Sequence, residues 1–294
     1  MAATARSKSR IDLHLHTTCS DGTLTPAECV ARARARGLTI IAITDHDTID
    51  GIASAQEAAA GTELWVLPGI EFNTDYHEKE VHVLGYGFDP QAPALQGALV
   101  DMKEGRRQRN YAILDRLAEL GLPLEAKRVE EFARGEIVAR PHLARAMVQA
   151  GYVGSVQEAF DIYLKKDGSA FVERESLTPQ QACRAIRESG GLPVLAHPAK
   201  LEYQQLIAEL LPCGLRGLEA YHPEQSPPQR RALRNTAARL GLLVTGGSDS
   251  HGPASGRSVE LGSVELPARL LEELIAALAE TVMGRATRPA GAAR

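Results

Sequence analysis

Short runs rich in β-branched and aliphatic residues recur along the chain, and most are followed by a segment whose apolar positions keep helical spacing. The strand-like runs are "RIDLHLH", "LTIIAITDH", "LWVLPGIE", "EVHVLGYGF", "LPVLAHP", "RGLEAYH" and "LLVTGGSDSH". Strand and helix alternating in this way predict a parallel sheet wrapped by helices. The helix starts are marked: "TPAE" at 25, "SVQE" at 155, "TPQQ" at 178 and "SPPQ" at 226 fit a capping box, and Pro26, Pro179 and Pro227 take first helical positions. Gly37, Gly121, Gly190 and Gly241 supply the stops.

The alternation breaks between about 96 and 175, where "KEGRRQRNYAILDRLAELG", "RPHLARAMVQAG" and "SVQEAFDIYLKK" read as successive helices with no strand between them. The expected organisation is a discontinuous barrel, 10–95 and 176–283, interrupted by a helical insertion at 96–175 that caps the substrate site. Only the tail "GRATRPAGAAR" reads as disordered.

Composition narrows the function. With 294 residues and 44% hydrophobic content the chain can bury a real core, while a net charge of −4 gives no basic field for duplex DNA. No apolar h-region follows the basic first ten residues and no stretch approaches a membrane span, so a cytoplasmic protein is expected. Cys19, Cys29, Cys183 and Cys213 lack CxxC spacing and are expected to be free thiols, with Cys19 a bystander beside the histidines.

The strand ends carry the chemistry. In order they deliver His14 and His16, which alternation places on one face, then Asp45, His46 and Asp47, Glu71, His82, His197, and Asp249 with His251. Asp21 follows the first strand, and His82 alone sits nearer mid-strand. A lone histidine at a strand end is usually a hydrogen-bonded surface residue, but six of nine histidines and three carboxylates on one rim call for a common ligand. Imidazole and carboxylate without thiolate suit Mn²⁺, Fe²⁺ or Zn²⁺ in an open site, with Mg²⁺ also conceivable. Nine donors are too many for one ion and suit three.

These residues resemble a known family. "DLHLHT", "SDG", "ITDHDT", "GIE", "VHVLGY", "AHP" and "GGSDSHG" are similar to the motif series of the PHP (polymerase and histidinol phosphatase) superfamily, in particular its nucleotide-phosphatase and RNase AM-like branch. The resemblance runs from about residue 10 to 255 and implies a distorted (β/α)7 barrel with a helical insertion and a trinuclear site. It puts His14, His16, Glu71 and Asp249 on one metal, Asp21, His46 and His197 on a second, and His82, His251 and the bridging Glu71 on a third. Some superfamily members have histidine where this chain has Asp21, and a carboxylate shifts preference toward harder ions such as Mn²⁺.

Charge balance favours a phosphate ester. Three divalent ions bring about six positive charges; three carboxylates and one hydroxide leave about two, matching a phosphomonoester dianion. Asp45 and Asp47 flank His46 and either orient ligands and the attacking water or cap the next helix; Asp45 is the catalytic candidate, with His222 a weaker one for a leaving-group acid. His77 reads as a surface residue. In the insertion Arg106 and Arg109 share a helix face with Asn110 nearby, and Arg140 and His142 open another helix; together they are expected to grip a second phosphate.

The preferred reading is a metal-dependent phosphatase removing the 3′-phosphate from nucleoside 3′,5′-bisphosphates such as pAp. Alternatives are a 5′-to-3′ exoribonuclease on short RNA, a histidinol-phosphate or other small phosphomonoesterase, and a non-catalytic metal-binding module, whose signature, loss of ligands, is missing. An amidohydrolase would present a lysine at a strand end; the nearest, Lys200, falls too late. Oligomeric state is left open.

Overall fold

The computed structural model describes residues 10–77, 79–133, 138–173, 177–198, 203–253, 255 and 259–286. Strands β1 (Ile11–Leu15), β2 (Ile40–Ile43), β3 (Trp65–Tyr76), β4 (Lys79–Tyr86), β5 (Leu192–Leu195), β6 (Gly217–Tyr221) and β7 (Leu243–Gly246) form one sheet in chain order. β1 to β3 and β5 to β7 are parallel, whereas β4 runs antiparallel to both neighbours. The all-parallel expectation fails here because β3 and β4 pair from Gly69–Tyr86 to Tyr76–Lys79, leaving only a tight turn where a crossover helix would be needed.

The seven-stranded mixed sheet curls into a nearly closed barrel with helices around it. Closure runs through β1 and the segment after β7: the Asp249 amide donates to the His14 carbonyl at 2.9 Å and the His16 amide to the Ser250 carbonyl at 3.1 Å. Gly247 permits that approach, since a Cβ there would lie 2.4 Å from the His14 Cβ.

Around the sheet lie α1 (Pro26–Ala35), α2 (Asp50–Ala59), α7 (Pro179–Glu188), α8 (Tyr203–Leu210) and α9 (Pro227–Leu240). The capping boxes at Thr25, Thr178 and Ser226 form as the sequence predicts. At Ser155 only half does, because the Glu158 carboxylate takes the Gly154 amide at 2.7 Å instead. The last helix, α10 (Ala268–Ala286), brings Leu271, Leu274 and Leu278 into one core cluster with Leu13, Ala42, Leu67, Leu84 and Val194, one residue from each of the first five strands. Residues 287–294 of the tail and Lys200 lie outside the described residues.

Between β4 and α7 come α3 (Pro93–Glu119), α4 (Ala126–Glu130), α5 (Arg140–Gln149) and α6 (Val156–Ala159), the last continuing into one π-helical turn, Phe160–Leu164. α3 serves two cores. Its first turns put Leu95, Ala98 and Met102 among barrel residues, and its last put Ile113 and Leu117 in a separate cluster with Leu143, Met147 and Leu164. Among the described residues no helix is long and apolar enough to cross a membrane. All four cysteines are free.

Candidate active site

The rim at the carboxyl ends of the parallel strands gathers five of the candidate ligands around one carboxylate. Glu71 Oε2 lies 3.2 Å from His14 Nε2, 3.2 Å from His16 Nε2 and 3.0 Å from His46 Nδ1. Its Oε1 lies 2.9 Å from His82 Nδ1 and 3.2 Å from His197 Nε2. His82 reaches this level because β4 is reversed: it enters the sheet at the rim, so a residue near its start, paired with Asn73, stands beside the ends of the parallel strands. Asp249 Oδ1 is 3.0 Å from His16 Nε2 and 3.4 Å from His14 Nε2.

The geometry redraws the partition that the resemblance implies. His251 Nε2 lies 3.3 Å from Asp21 Oδ1, and His16, Asp21, His46 and His251 converge as one donor group. His197 instead joins Glu71 and His82, its ring centroid 5.1 Å from that of His82. The two histidines thus exchange places, because the β7 end closes onto β1 and carries His251 to the Asp21 side, while β5 lies against β4 and carries His197 to His82. The other convergent groups are His14, His16, Glu71, Asp249 and His46, Glu71, His82.

The backbone is bent to make this rim. Asp47, His197 and Asp249 all have left-handed φ, at 55°, 27° and 53°, a conformation costly for residues with a side chain and concentrated at functional sites. Asp21 is delivered by a tight loop in which a Cβ on Gly22 would lie 2.5 Å from the His16 carbonyl oxygen, so the glycine of "SDG" is sterically required. Asp45 holds the same loop, accepting from the Thr17 amide at 2.7 Å, the Thr17 hydroxyl at 2.7 Å and the Ser20 hydroxyl at 2.6 Å. Both its oxygens are committed there, which corrects the catalytic expectation: Asp45 positions the loop that carries Asp21.

Several buried donor atoms, His14 Nε2, His16 Nε2, Asp21 Oδ1, His46 Nδ1 and Glu71 Oε2, make no hydrogen bond. Buried polar atoms of a native chain are normally satisfied, and lone pairs of these types aimed at shared points fit divalent cations. The electrostatics agree. Burial alone would raise the Glu71 carboxyl, but the imidazoles of His14, His82 and His46 hold it well below the usual range. Burial is also offset at Asp21, by His251 and His46, and at Asp249, by His14 and His16. Burial pushes His46 down to about 3, whereas at His16 and His82 burial is outweighed by the neighbouring carboxylates, which hold them up at about 9 and about 10, so a bound cation there would displace protons.

Sequence reasoning missed Glu219, a carboxylate inside the apolar strand "GLEAY". Glu219 Oε1 accepts from His14 Nδ1 at 2.9 Å, fixing the tautomer that turns Nε2 toward the cluster, and Oε2 accepts from the His197 amide at 2.9 Å. His222 lies beneath Asp249, Nε2 to Oδ2 3.5 Å, and is 2% exposed. Through that contact it supports the Asp249 carboxylate.

A cavity of about 580 Å³ has Asp21, His46, His82 and His197 on its floor and the insertion as its outer wall. Arg109 and Arg140 line it as expected, joined by Lys165 and Lys166, which the sequence reading passed over. Arg106 lines it too, but its guanidinium is bound to Asp47, Nε to Oδ2 2.7 Å, and Asp47 also accepts from the Asn73 amide at 2.8 Å. The pair is a buried tie between insertion and rim; it is neither the phosphate grip expected of Arg106 nor a helix cap by Asp47, since α2 is capped at Ile49. Asn110 and His142 leave the expected set as well. Asn110 Nδ2 donates to the Val138 carbonyl at 2.7 Å, and His142 Nδ1 accepts the Ala139 amide at 3.1 Å, closing the start of α5.

Residues 12–160 match the PHP domain family. The chain belongs to the PHP family. Among its PHP relatives, a Haemophilus influenzae protein named 5′-3′ exoribonuclease is 35% identical, the match covering 86% of this chain and 93% of that one. A Chromobacterium violaceum protein named 3′,5′-nucleoside bisphosphate phosphatase is 33% identical, covering 84% and 89%. A solved structure of a metal-dependent phosphoesterase from Bifidobacterium adolescentis matches with a TM-score of 0.83 and 31% identity, over 92% of this PHP chain and 97% of its own. The donor cluster of this PHP chain is a site for divalent metal ions.

Proposed function

We propose that this chain is a phosphoric ester hydrolase that removes the 3′-phosphate from nucleoside 3′,5′-bisphosphates, converting pAp to AMP. One observation carries the reading: the cavity with the donor cluster on its floor has cationic side chains, Arg109, Arg140, Lys165 and Lys166, on its opposite wall. Two separate places for phosphate, one at the metals and one at the cations, match a bisphosphate. The relatives named for this activity and for 5′-3′ exoribonuclease action support it.

Three ions fit the donors: one at His14, His16, Glu71 and Asp249, one at His16, Asp21, His46 and His251, and one at His46, Glu71 and His82, with His197 3.2 Å from the same Glu71 carboxylate. Carboxylate and imidazole donors without thiolate suit Mn²⁺, Fe²⁺ or Zn²⁺, and the carboxylate at Asp21 inclines the reading toward the harder Mn²⁺. Bound there, divalent ions would supply a hydroxide near neutral pH and positive charge for the phosphoryl oxygens. The chain does the rest. Glu219 holds His14 in its ligating tautomer, Asp45 keeps Asp21 on the rim, and the Arg106–Asp47 tie fixes the insertion over it. Arg109, Arg140 and the two lysines then hold the 5′-phosphate, so binding energy remote from the reacting ester orients it for in-line attack.

A second use of the same site, release of 5′-nucleotides from short RNA, is favoured by the cavity's aromatic edge. Two of the chain's five phenylalanines, Phe160 and Phe171, line it beside Lys165 and Lys166, offering faces against which a following base can stack. The test follows pAp, 3′-AMP and a 5′-phosphorylated oligoribonucleotide by phosphorus NMR with Mn²⁺. The proposal requires loss of the 3′-phosphate from pAp and a kcat/KM well above that for 3′-AMP; release of the 5′-phosphate first, or equal rates, refutes it.

A further inference from the structure

A second cavity lies on the other side of α3, about 350 Å³ in volume, between α3, α4 and α5. Its walls are mainly apolar, with Leu114, Val129 and Leu143 among them, and Tyr111 forms one side. Asn110 faces it. Because Nδ2 must donate to the Val138 carbonyl, the amide can sit only one way round, and Oδ1 is left buried with no hydrogen-bond partner in a residue 8% exposed. At the rim Arg107 lies over the Tyr111 ring, 5.7 Å from its centroid.

A buried acceptor left unmatched in an apolar wall marks a missing donor. A cavity of about 350 Å³ with apolar walls and the Tyr111 ring accommodates an aromatic body, the Asn110 oxygen calls for an N–H on its edge, and the lining cations Lys103 and Arg107, set against the acid Glu130, favour an attached anion. We propose that this cavity is a second ligand site, separate from the metal cavity, for a purine nucleotide held by its base. Arg106 lines both cavities and, being tied to Asp47, keeps them apart. Nothing in the proposed hydrolysis uses this pocket.

The test is calorimetric titration of the Mn²⁺-loaded full chain with AMP and, separately, with adenosine, which has no phosphate for the metals. AMP should fill two sites per chain and adenosine one. Ala126→Trp, which fills the cavity from its partly exposed edge, should abolish the adenosine site and leave one AMP site, with turnover of p-nitrophenyl phosphate within about twofold of wild type to confirm a folded catalyst. Asn110→Leu should weaken adenosine at least tenfold. A single AMP site in the wild type, adenosine binding unchanged by Ala126→Trp, or no adenosine binding at all, as expected of a cavity that holds only water, would overturn the assignment.

Discussion

The barrel rim and the helical insertion both carry clusters of polar side chains that sequence reasoning singles out, and they use them in opposite ways. On the rim, five imidazoles surround Glu71 within 3.2 Å and leave donor atoms unmatched, aimed at common points. In the insertion, Arg106 and His142 spend polar atoms on Asp47 and Ala139, inside the protein. A polar residue is lost to a ligand when the fold buries it against a partner of its own. The rim is made by strand ends that leave such atoms open; the insertion must first hold itself together.

The largest test of this contrast is Glu71→Ala. It should cost at least about 10³-fold in kcat and lower metal content by plasma spectrometry, with the circular dichroism of a folded chain. Chelation should reproduce the loss in the wild type, and added Mn²⁺ should restore it. Full activity of metal-free Glu71→Ala would remove the cluster from the reaction.

Next comes Arg106→Ala, which separates a tie from a grip. Breaking a buried pair leaves Asp47 uncompensated, so stability should fall by about 3–5 kcal/mol in urea titration. If KM for pAp rises instead while stability holds, Arg106 belongs to the substrate after all.

Arg140→Ala should do the reverse. Half-buried and only 3.3 Å from the exposed Glu80, Arg140 can turn to a phosphate, and its loss should lower kcat/KM for pAp by about 10- to 100-fold through a contact of roughly 1.5–3 kcal/mol. Hydrolysis of p-nitrophenyl phosphate, which has no second phosphate, should hardly change.

The smallest effect is expected at Glu219→Gln. The amide keeps the shape but can present its NH₂ to His14, so metal affinity should fall about 10-fold, the low end for groups that orient ligands, with kcat recovered at high Mn²⁺. Failure of metal to rescue the variant would give Glu219 a role other than orienting His14.

The contrast also explains what was legible in the sequence. All seven strands could be read because each combines β-rich composition with a turn or cap signal, and the rim residues followed because strand ends are local. The reversal of β4 was not legible, since a run such as "EVHVLGY" alternates alike in either direction; only its pairing with β3 decides. The exchange of His197 and His251 was hidden for the same reason, as it depends on which strands meet when the barrel closes. Glu219 carried a signal, a charge within an apolar strand. Arg106 and Arg109 carried none that separates them: three positions apart on one helix, one finds Asp47 and the other faces the cavity.

Helix α3 turns chain length into catalytic alignment. β4 descends from the rim, so α3 starts near the opposite end of the barrel and climbs back up its side before rising into the insertion. At about 1.5 Å per residue its 27 residues measure out roughly 40 Å, and the same count sets the direction in which each side chain points. Met102 is seated in the barrel and Arg106 is fixed to the rim, so the register of everything beyond is decided between them. One residue added there would lift the cap by about 1.5 Å and swing Arg109 round by about 100°, away from the cavity it lines. The helix is a ruler with a single correct setting.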